Sequence, residues 1–352
     1  MAIYQRFLLV AAALALPLSA QADGVRYSVT VLGLVQHNYP NSYFNPKAIN
    51  DNEVIAGNAI VRVPHNTLQS QRGVLWQPTT HYQVLGTISE EGSDDSNATC
   101  INNSGIAAGY SSEHLFDGGY SVHPVMFTSN GVVNLGVKNA AAGWATGIND
   151  ASQIVGNLEF ETPVPAIEAF LYQNGAMTPL GYPVSTLGYS AAYAINNNGL
   201  IVGTAQFAAN AEYHPASYSN GTWTDLGVLG TGNSQTYASS VNDSGVIVGS
   251  WGNPLVYGAF IYQNGKIADL KAPAPSTVLD VPIINNAGQI VYSKFIYQSG
   301  LWQDINTLIQ PGSAWQLTVA TAINNNGAIV GSIYNPTQRI YRAGLLTPVT
   351  SN

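Results

Sequence analysis

Cysteine is almost missing: Cys100 stands alone in 352 residues, so an intrachain disulfide is impossible. Charge is scarce as well, at 9% of residues, with 11 Lys plus Arg against 19 Asp plus Glu and a formal net charge of −8. A chain so poor in positive charge has no electrostatic footprint for nucleic acid or an anionic bilayer. Signature motifs of catalysis are missing too. There is no Gly-x-Ser-x-Gly elbow between a strand and a helix, no His-Glu-x-x-His, and no phosphate-binding glycine loop. Long apolar runs are absent except near the start. There, Arg6 precedes an apolar run from Phe7 to Leu18, followed by the small-x-small stretch Ala20-Gln21-Ala22. The run is too short to span a bilayer. Residues 1–22 therefore read as a secretory signal peptide. Residues 23–352 then form one exported domain, extracellular or periplasmic, with no membrane span after cleavage.

What the chain has in abundance is one uncharged string. "AINNNGLIVG" from Ala194 recurs as "AINDNEVIAG", "CINNSGIAAG", "GINDASQIVG", "SVNDSGVIVG", "IINNAGQIVY" and "AINNNGAIVG". The shared asparagines are Asn50, Asn102, Asn149, Asn196, Asn242, Asn285 and Asn324, spaced 52, 47, 47, 46, 43 and 39 residues apart. That period suits a four-stranded propeller blade. The fifth copy displays the unit: "TYASSVND" alternates with a period of two, "GVIVGSW" is apolar and β-branched, and "AFIYQNG" and "KIADL" complete four strands. We label them a to d. Asn-Gly pairs at Asn130-Gly131, Asn174-Gly175, Asn220-Gly221 and Asn264-Gly265 mark c–d hairpins, since both residue types tolerate positive φ. The expected fold is an all-β propeller of seven four-stranded blades. "RYSVTVLG" from Arg26 supplies an extra N-terminal strand that closes the ring on the last blade and removes exposed edges.

Seven copies of a group argue for scaffold, because a catalytic group is needed once per site. Each asparagine is expected to satisfy turn backbone that would otherwise be buried unpaired. Cys100 fills a slot held elsewhere by Ala48, Gly147, Ala194, Ser240 and Ala322, so it reads as a small buried side chain and not as a reactive thiol.

The stretches "AFIYQNGKIADL" and "WTDLGVLGTGNSQTYASSVNDSGVIVG" resemble the HAF repeat of probable extracellular bacterial proteins. The resemblance covers nearly all of the mature chain and implies export and a propeller-like fold, but no catalytic residue. Departures exist. The leading His survives only as His123-Pro124 and His214-Pro215, "DLG" is intact only at Asp225-Leu226-Gly227, Tyr292 replaces a repeat glycine, and Glu53 sits in a turn-glycine slot.

Topology places the a–b and c–d turns on one face and the variable b–c and d–a connections on the other. Variable loops of repeat proteins collect on the binding face. Aromatics there are the best lead for a ligand: Tyr189, Tyr213, His214 and Trp251 would line a shallow groove between the fourth and fifth blades. The competing role for Trp251 is a plug between neighbouring blades. His37, His65, His114 and His123 share this face with His214, while His81 belongs to the other. None has a ligand-like local spacing, so no metal site is expected. Glu90, Glu91, Asp94 and Asp95 offer hard oxygens for Ca²⁺, yet lack the pattern of an EF-hand loop, and a solvated acidic loop competes with that reading. Strand a carries small or hydroxyl residues, with Lys47 and Asp280 the only charges near it, which argues against a glycoside hydrolase at the hub.

The expected function is non-enzymatic: an exported scaffold whose variable face binds a glycan, a peptide or a cell-surface partner. The alternative is a polysaccharide- or peptide-cleaving secreted enzyme with its acids on the same loops. A membrane β-barrel is disfavoured, because strands of about five to seven residues fall short of the roughly 9–11 that spanning requires.

Overall fold

The structure is a computed structural model. It describes residues 25–62, 69–89, 94–114, 119–161, 166–184, 188–208, 213–229, 235–253, 256–273 and 280–350. The segment read as a signal peptide lies outside the described residues.

The chain folds as an all-β propeller. Repeat five has strands a to d at Gln235–Val241, Ile247–Asn253, Val256–Gln263 and Lys266–Asp269, each paired antiparallel with the next. Turn chemistry explains the junctions. Asn174-Gly175, Asn220-Gly221 and Asn264-Gly265 have positive φ at both residues, as a two-residue hairpin turn matching strand twist demands. At Asn130-Gly131 only the glycine does.

The expectation of seven separate four-stranded blades needs correction. Five sheets stand alone with four strands, while repeats two and three share one eight-stranded sheet. Strand c of repeat two, Tyr120–Thr128, touches strand a of repeat three, Ala142–Ile148, through a single parallel pair, Ala142 with Val122. Length of the b–c hairpin does not explain it, since Ile55–Arg62 and Gln69–Gln77 of repeat one are as long as Ala107–His114 and Tyr120–Thr128 and stay in a separate sheet. A similar contact between Ile167 and Tyr189, one repeat later, stays an isolated bridge.

The first and last described strands build the last sheet. Val25–Leu32 pairs antiparallel with Ile340–Thr350 from Val25–Thr350 through to Leu32–Ala343. "LLTPV" is thus strand c of that sheet, and the N-terminal strand is its outermost member. Tyr27 and Leu32 are buried beneath this clasp, with burial pushing the Tyr27 hydroxyl up to about 12.

The core is divided among the junctions between consecutive repeats. Val202 and Leu226 of repeat four, for example, pack on Ile247 and Phe260 of repeat five. Val330 and Leu345 of repeat seven pack on Phe44, Ile55 and Trp76 of repeat one. Each sheet therefore buries its apolar face only against a neighbour, as repeat architectures require.

A recurrent β-bulge shapes the inner strands. The register slips within strand a at Lys47, Thr99, Thr146, Tyr193, Ser239 and Thr321. The hydroxyls of Thr99, Thr146 and Ser239 donate to the next repeat's backbone at Ala145, Ala192 and Pro282, over 2.6–2.9 Å. That bridging explains why small and hydroxyl residues fill strand a. The last glycine of the repeated string faces the same bulge. A Cβ on Gly203 would lie 1.9 Å from the Ala191 carbonyl oxygen, and one on Gly109 equally close to that of Asn97. Repeat six breaks this rule with a fully buried Tyr292, and its strand a shrinks to Ile283–Ile284. Pairing there stops at Ile283–Val291, one residue short of Tyr292, so the side chain stands where strand a would otherwise continue.

Candidate functional site

On one face, the repeated asparagines form a closed ring. Each Nδ2 donates to the main-chain carbonyl of the next asparagine, from Asn50 to Asn102 and onward to Asn324, which returns to Asn50, over 2.9–3.3 Å. Each side-chain oxygen accepts the N–H of the residue four positions on, such as Val54 from Asn50 and Leu200 from Asn196. All seven are at most 5% exposed. The turn residue after each has positive φ: glycine in five repeats, but Glu53 and Ser152 in repeats one and three. Left-handed backbone at a non-glycine costs about 1–2 kcal/mol.

A second ring, which the sequence reading did not single out, runs through the residue after each asparagine. Its members are Asp51, Asn103, Asp150, Asn197, Asp243, Asn286 and Asn325. Each donates its backbone N–H to the side-chain oxygen of the next, over 2.8–2.9 Å, and Asn325 closes on Asp51. The signal was present, since this position is always Asn or Asp. Carboxamides of Asn103 and Asn197 bridge flanking carboxylates, tying up Asp51, Asp150 and Asp243 around a central depression of about 170 Å³. Both rings are structural in geometry: their polar atoms are spent on one another.

The opposite face is different. Tyr189 and Tyr213 stack with ring centroids 4.1 Å apart at 26°. Tyr213 is 46% exposed, whereas Tyr189 is held from below by a hydrogen bond with the more deeply buried Tyr193. His214, next in the chain, has partners of its own: its Nδ1 lies 2.8 Å from Oδ2 of Asp225, and its ring centroid is 6.2 Å from that of Phe207. The other oxygen of Asp225 accepts from the Gly227 N–H, so the intact Asp-Leu-Gly both shapes its turn and orients the imidazole.

Of the four residues expected to line a groove, only Tyr189 and Tyr213 are in ring contact with each other; Trp251 lies in the sheet of repeat five. Because the b–c connection is short, strand b continues through Trp251, which pairs with Gly258 across the sheet. The indole lies against that glycine, where a Cβ would sit 2.6 Å from Nε1, and packs on the junction core of repeats four and five. It makes no ring contact with Tyr189, Tyr213 or His214 among the described residues. Its Nε1 is buried without a hydrogen-bond partner. This packing is that of a plug between neighbouring blades, with the indole half-buried.

Other titratable groups offer little chemistry. Ser121 Oγ is 2.8 Å from His123 Nε2, but Glu113 faces that same nitrogen at 3.9 Å, and Nδ1 is buried without a partner. A serine-activating histidine needs its second nitrogen held by the acid. Burial lowers the His123 pKa, with Glu113 partly opposing it. The Cys100 thiol is fully buried and burial pushes it up to about 12, which leaves it inert. His37 and His81, assigned by strand order to opposite faces, line one cavity of about 380 Å³ with Glu53. No group of three His, Cys, Asp or Glu among the described residues is placed to hold a metal ion.

Of the acidic stretch offered for Ca²⁺, Glu90 and Glu91 lie outside the described residues, as does His65; of His114 only the backbone is described. Asp94 is buried, and Asp95 Oδ1 accepts from Ser70 Oγ and the Gln71 N–H. Burial pushes the nearby Arg72 guanidinium down, while Asp95 and Asp94 pull the other way. The Asp95 carboxylate and the Asp94 main-chain carbonyl, which accepts from Ser70 Oγ at 2.6 Å, tie the incoming chain to strand c of repeat one.

No protein-family model matches the chain, and no curated protein matches it. Among solved structures, a puromycin-hydrolyzing peptidase from Mycobacterium tuberculosis is similar with a TM-score of 0.50 at 11% identity, over 91% of this chain and 56% of that one. A gluconolactonase from Xanthomonas campestris gives a TM-score of 0.41 at 10% identity, over 93% and 96% of the two chains. TolB from Acinetobacter baumannii gives 0.38 at 13%, over 84% and 79%. At these identities the likeness concerns the fold alone.

Proposed function

We propose that this protein is an exported binding module with seven propeller units, the eight-stranded sheet counting as two. It acts without catalysis through the face of variable connections. The Tyr189–Tyr213 stack carries this reading. An exposed tyrosine face suits a sugar ring, which offers a flat apolar face and hydroxyls at its rim. The resemblance to HAF repeats fits export, and no helix among the described residues is long and apolar enough to cross a membrane.

Hydrolysis of a polysaccharide or peptide is the competing function. Its best support is the Ser121–His123 contact, and the geometry around Nδ1 weighs against it. One experiment separates the two. Purified protein is incubated with a glycan panel and with cell-wall material, and both retention and cleavage products are measured. The module reading expects retention without products, and a several-fold loss of affinity in Tyr213→Ala with unchanged melting. Products that vanish in Ser121→Ala would replace it with the enzyme.

A further inference from the structure

The ring closes where repeat seven meets repeat one, and that seam holds a cavity of about 490 Å³ on the variable face. Its walls come from the Tyr43–Pro46 entry to the first sheet and from the hairpin between Ile329–Asn335 and Ile340–Thr350. Two of the chain's 11 basic residues, Arg339 and Arg342, line it, and no carboxylate does. In a molecule of net charge −8 this concentration of positive charge stands apart. Lys271 and Lys294, by contrast, each pair with an aspartate within 2.7 Å.

Arg342 is held by its side chain and Arg339 by its backbone. Arg342 lies over the Tyr43 ring at 4.8 Å, and its Nη1 donates to the Tyr341 carbonyl. Among the described residues that leaves most of its five N–H donors unused. Arg339 ends a four-residue loop fastened by Asn335, whose side-chain oxygen accepts from Thr337 and Gln338 and whose carbonyl accepts from Arg339 itself. It sits at φ +56, and its guanidinium has no partner among the described residues. Around them Tyr43 and Tyr341 are 47% and 61% exposed, and Tyr341 packs on Tyr334 at 4.7 Å.

We propose that this seam is a binding site for a carboxylate-bearing sugar, a uronate unit of an acidic glycan. The tyrosine faces take the pyranose ring, and the guanidinium groups take the carboxylate through charge-assisted, bidentate hydrogen bonds. Asn45 and Ser332 stand in the same wall for the hydroxyls. The seam shares no residue with the Tyr189–Tyr213 stack, so the inference stands or falls independently of it. A peptide's terminal carboxylate offers the arginines the same charge but no pyranose face for two exposed tyrosines.

The test is calorimetric titration of the whole protein with tetragalacturonate, with a neutral galactose tetramer of equal length, and with a tetrapeptide bearing a free C-terminal carboxylate. Tetragalacturonate should bind, weakening as salt rises, and the other two should bind roughly tenfold or more weakly. Arg339→Gln, on an exposed loop, should cost tetragalacturonate roughly tenfold in affinity with unchanged melting. Arg342→Gln tests the stacked cation, and Tyr341→Ala the ring platform. Tyr213→Ala should leave this binding untouched. Equal affinity for the neutral tetramer, preference for the peptide, or full retention of binding in Arg339→Gln and Tyr341→Ala would overturn the proposal.

Discussion

On one face of the wheel, seven turns repeat the same asparagine with the same bonds. On the other, the connections differ from repeat to repeat. The asparagine face is uniform because every turn must reach the next one: Nδ2 of Asn196 ends on the Asn242 carbonyl, and that of Asn324 on Asn50. A change in one repeat breaks a link to its neighbour. Among the described residues the variable face carries no such ring, so its side chains are free to differ and to remain exposed, as Tyr213, Tyr341 and Tyr43 do. Function is expected where repetition stops.

That contrast can be broken deliberately, and the largest effect should come from the inner bulge. Gly203→Ala forces a methyl against a backbone oxygen that no rotamer change can move. Thermal and urea unfolding should show a loss of about 3 kcal/mol or more. The same methyl at a position with open space around it, Gly33→Ala, should show no comparable loss. Stability indifferent to Gly203→Ala would mean that the bulge does not dictate the glycine.

Next comes the ring itself. Asn196→Ala leaves the Leu200 N–H and the Asn242 carbonyl without their buried partners, for a loss on the order of 3 kcal/mol. Binding by the fraction still folded should be intact. Wild-type melting with abolished binding would move the function onto the asparagine face and reverse the comparison.

Trp251→Ala sharpens the other side. As a plug on Gly258, the indole should cost about 2 kcal/mol when removed, less than a fully buried tryptophan, since its unpartnered Nε1 goes with it. Glycan affinity per folded molecule should not change. An affinity loss at unchanged melting would return Trp251 to the groove. The smallest effect is a gain. Glu53→Gly relieves left-handed backbone at φ +58 and should stabilise by up to about 1 kcal/mol, read as a raised melting temperature.

The repeated string made the four-strand unit, its turns and the role of the asparagine legible, because these depend on contacts within a few residues: Asn196 Oδ1 and the Leu200 N–H are four positions apart. The N-terminal closing strand was legible too, since one strand was left over before the first full repeat. The fusion of repeats two and three was not, because it turns on one contact between neighbouring repeats, Ala142 with Val122. Nor was the repeat's last glycine, whose reason is a carbonyl in another strand, nor Trp251, which a short loop draws into the sheet. The seam cavity was least visible of all. Tyr43 and Arg342 lie almost a full chain apart and meet only because the ring closes. By itself the sequence determined a propeller-forming repeat, through local turn chemistry and strand alternation. Which surfaces became sites was decided by tertiary structure, because closure alone sets which distant side chains share a wall and which polar groups remain unspent.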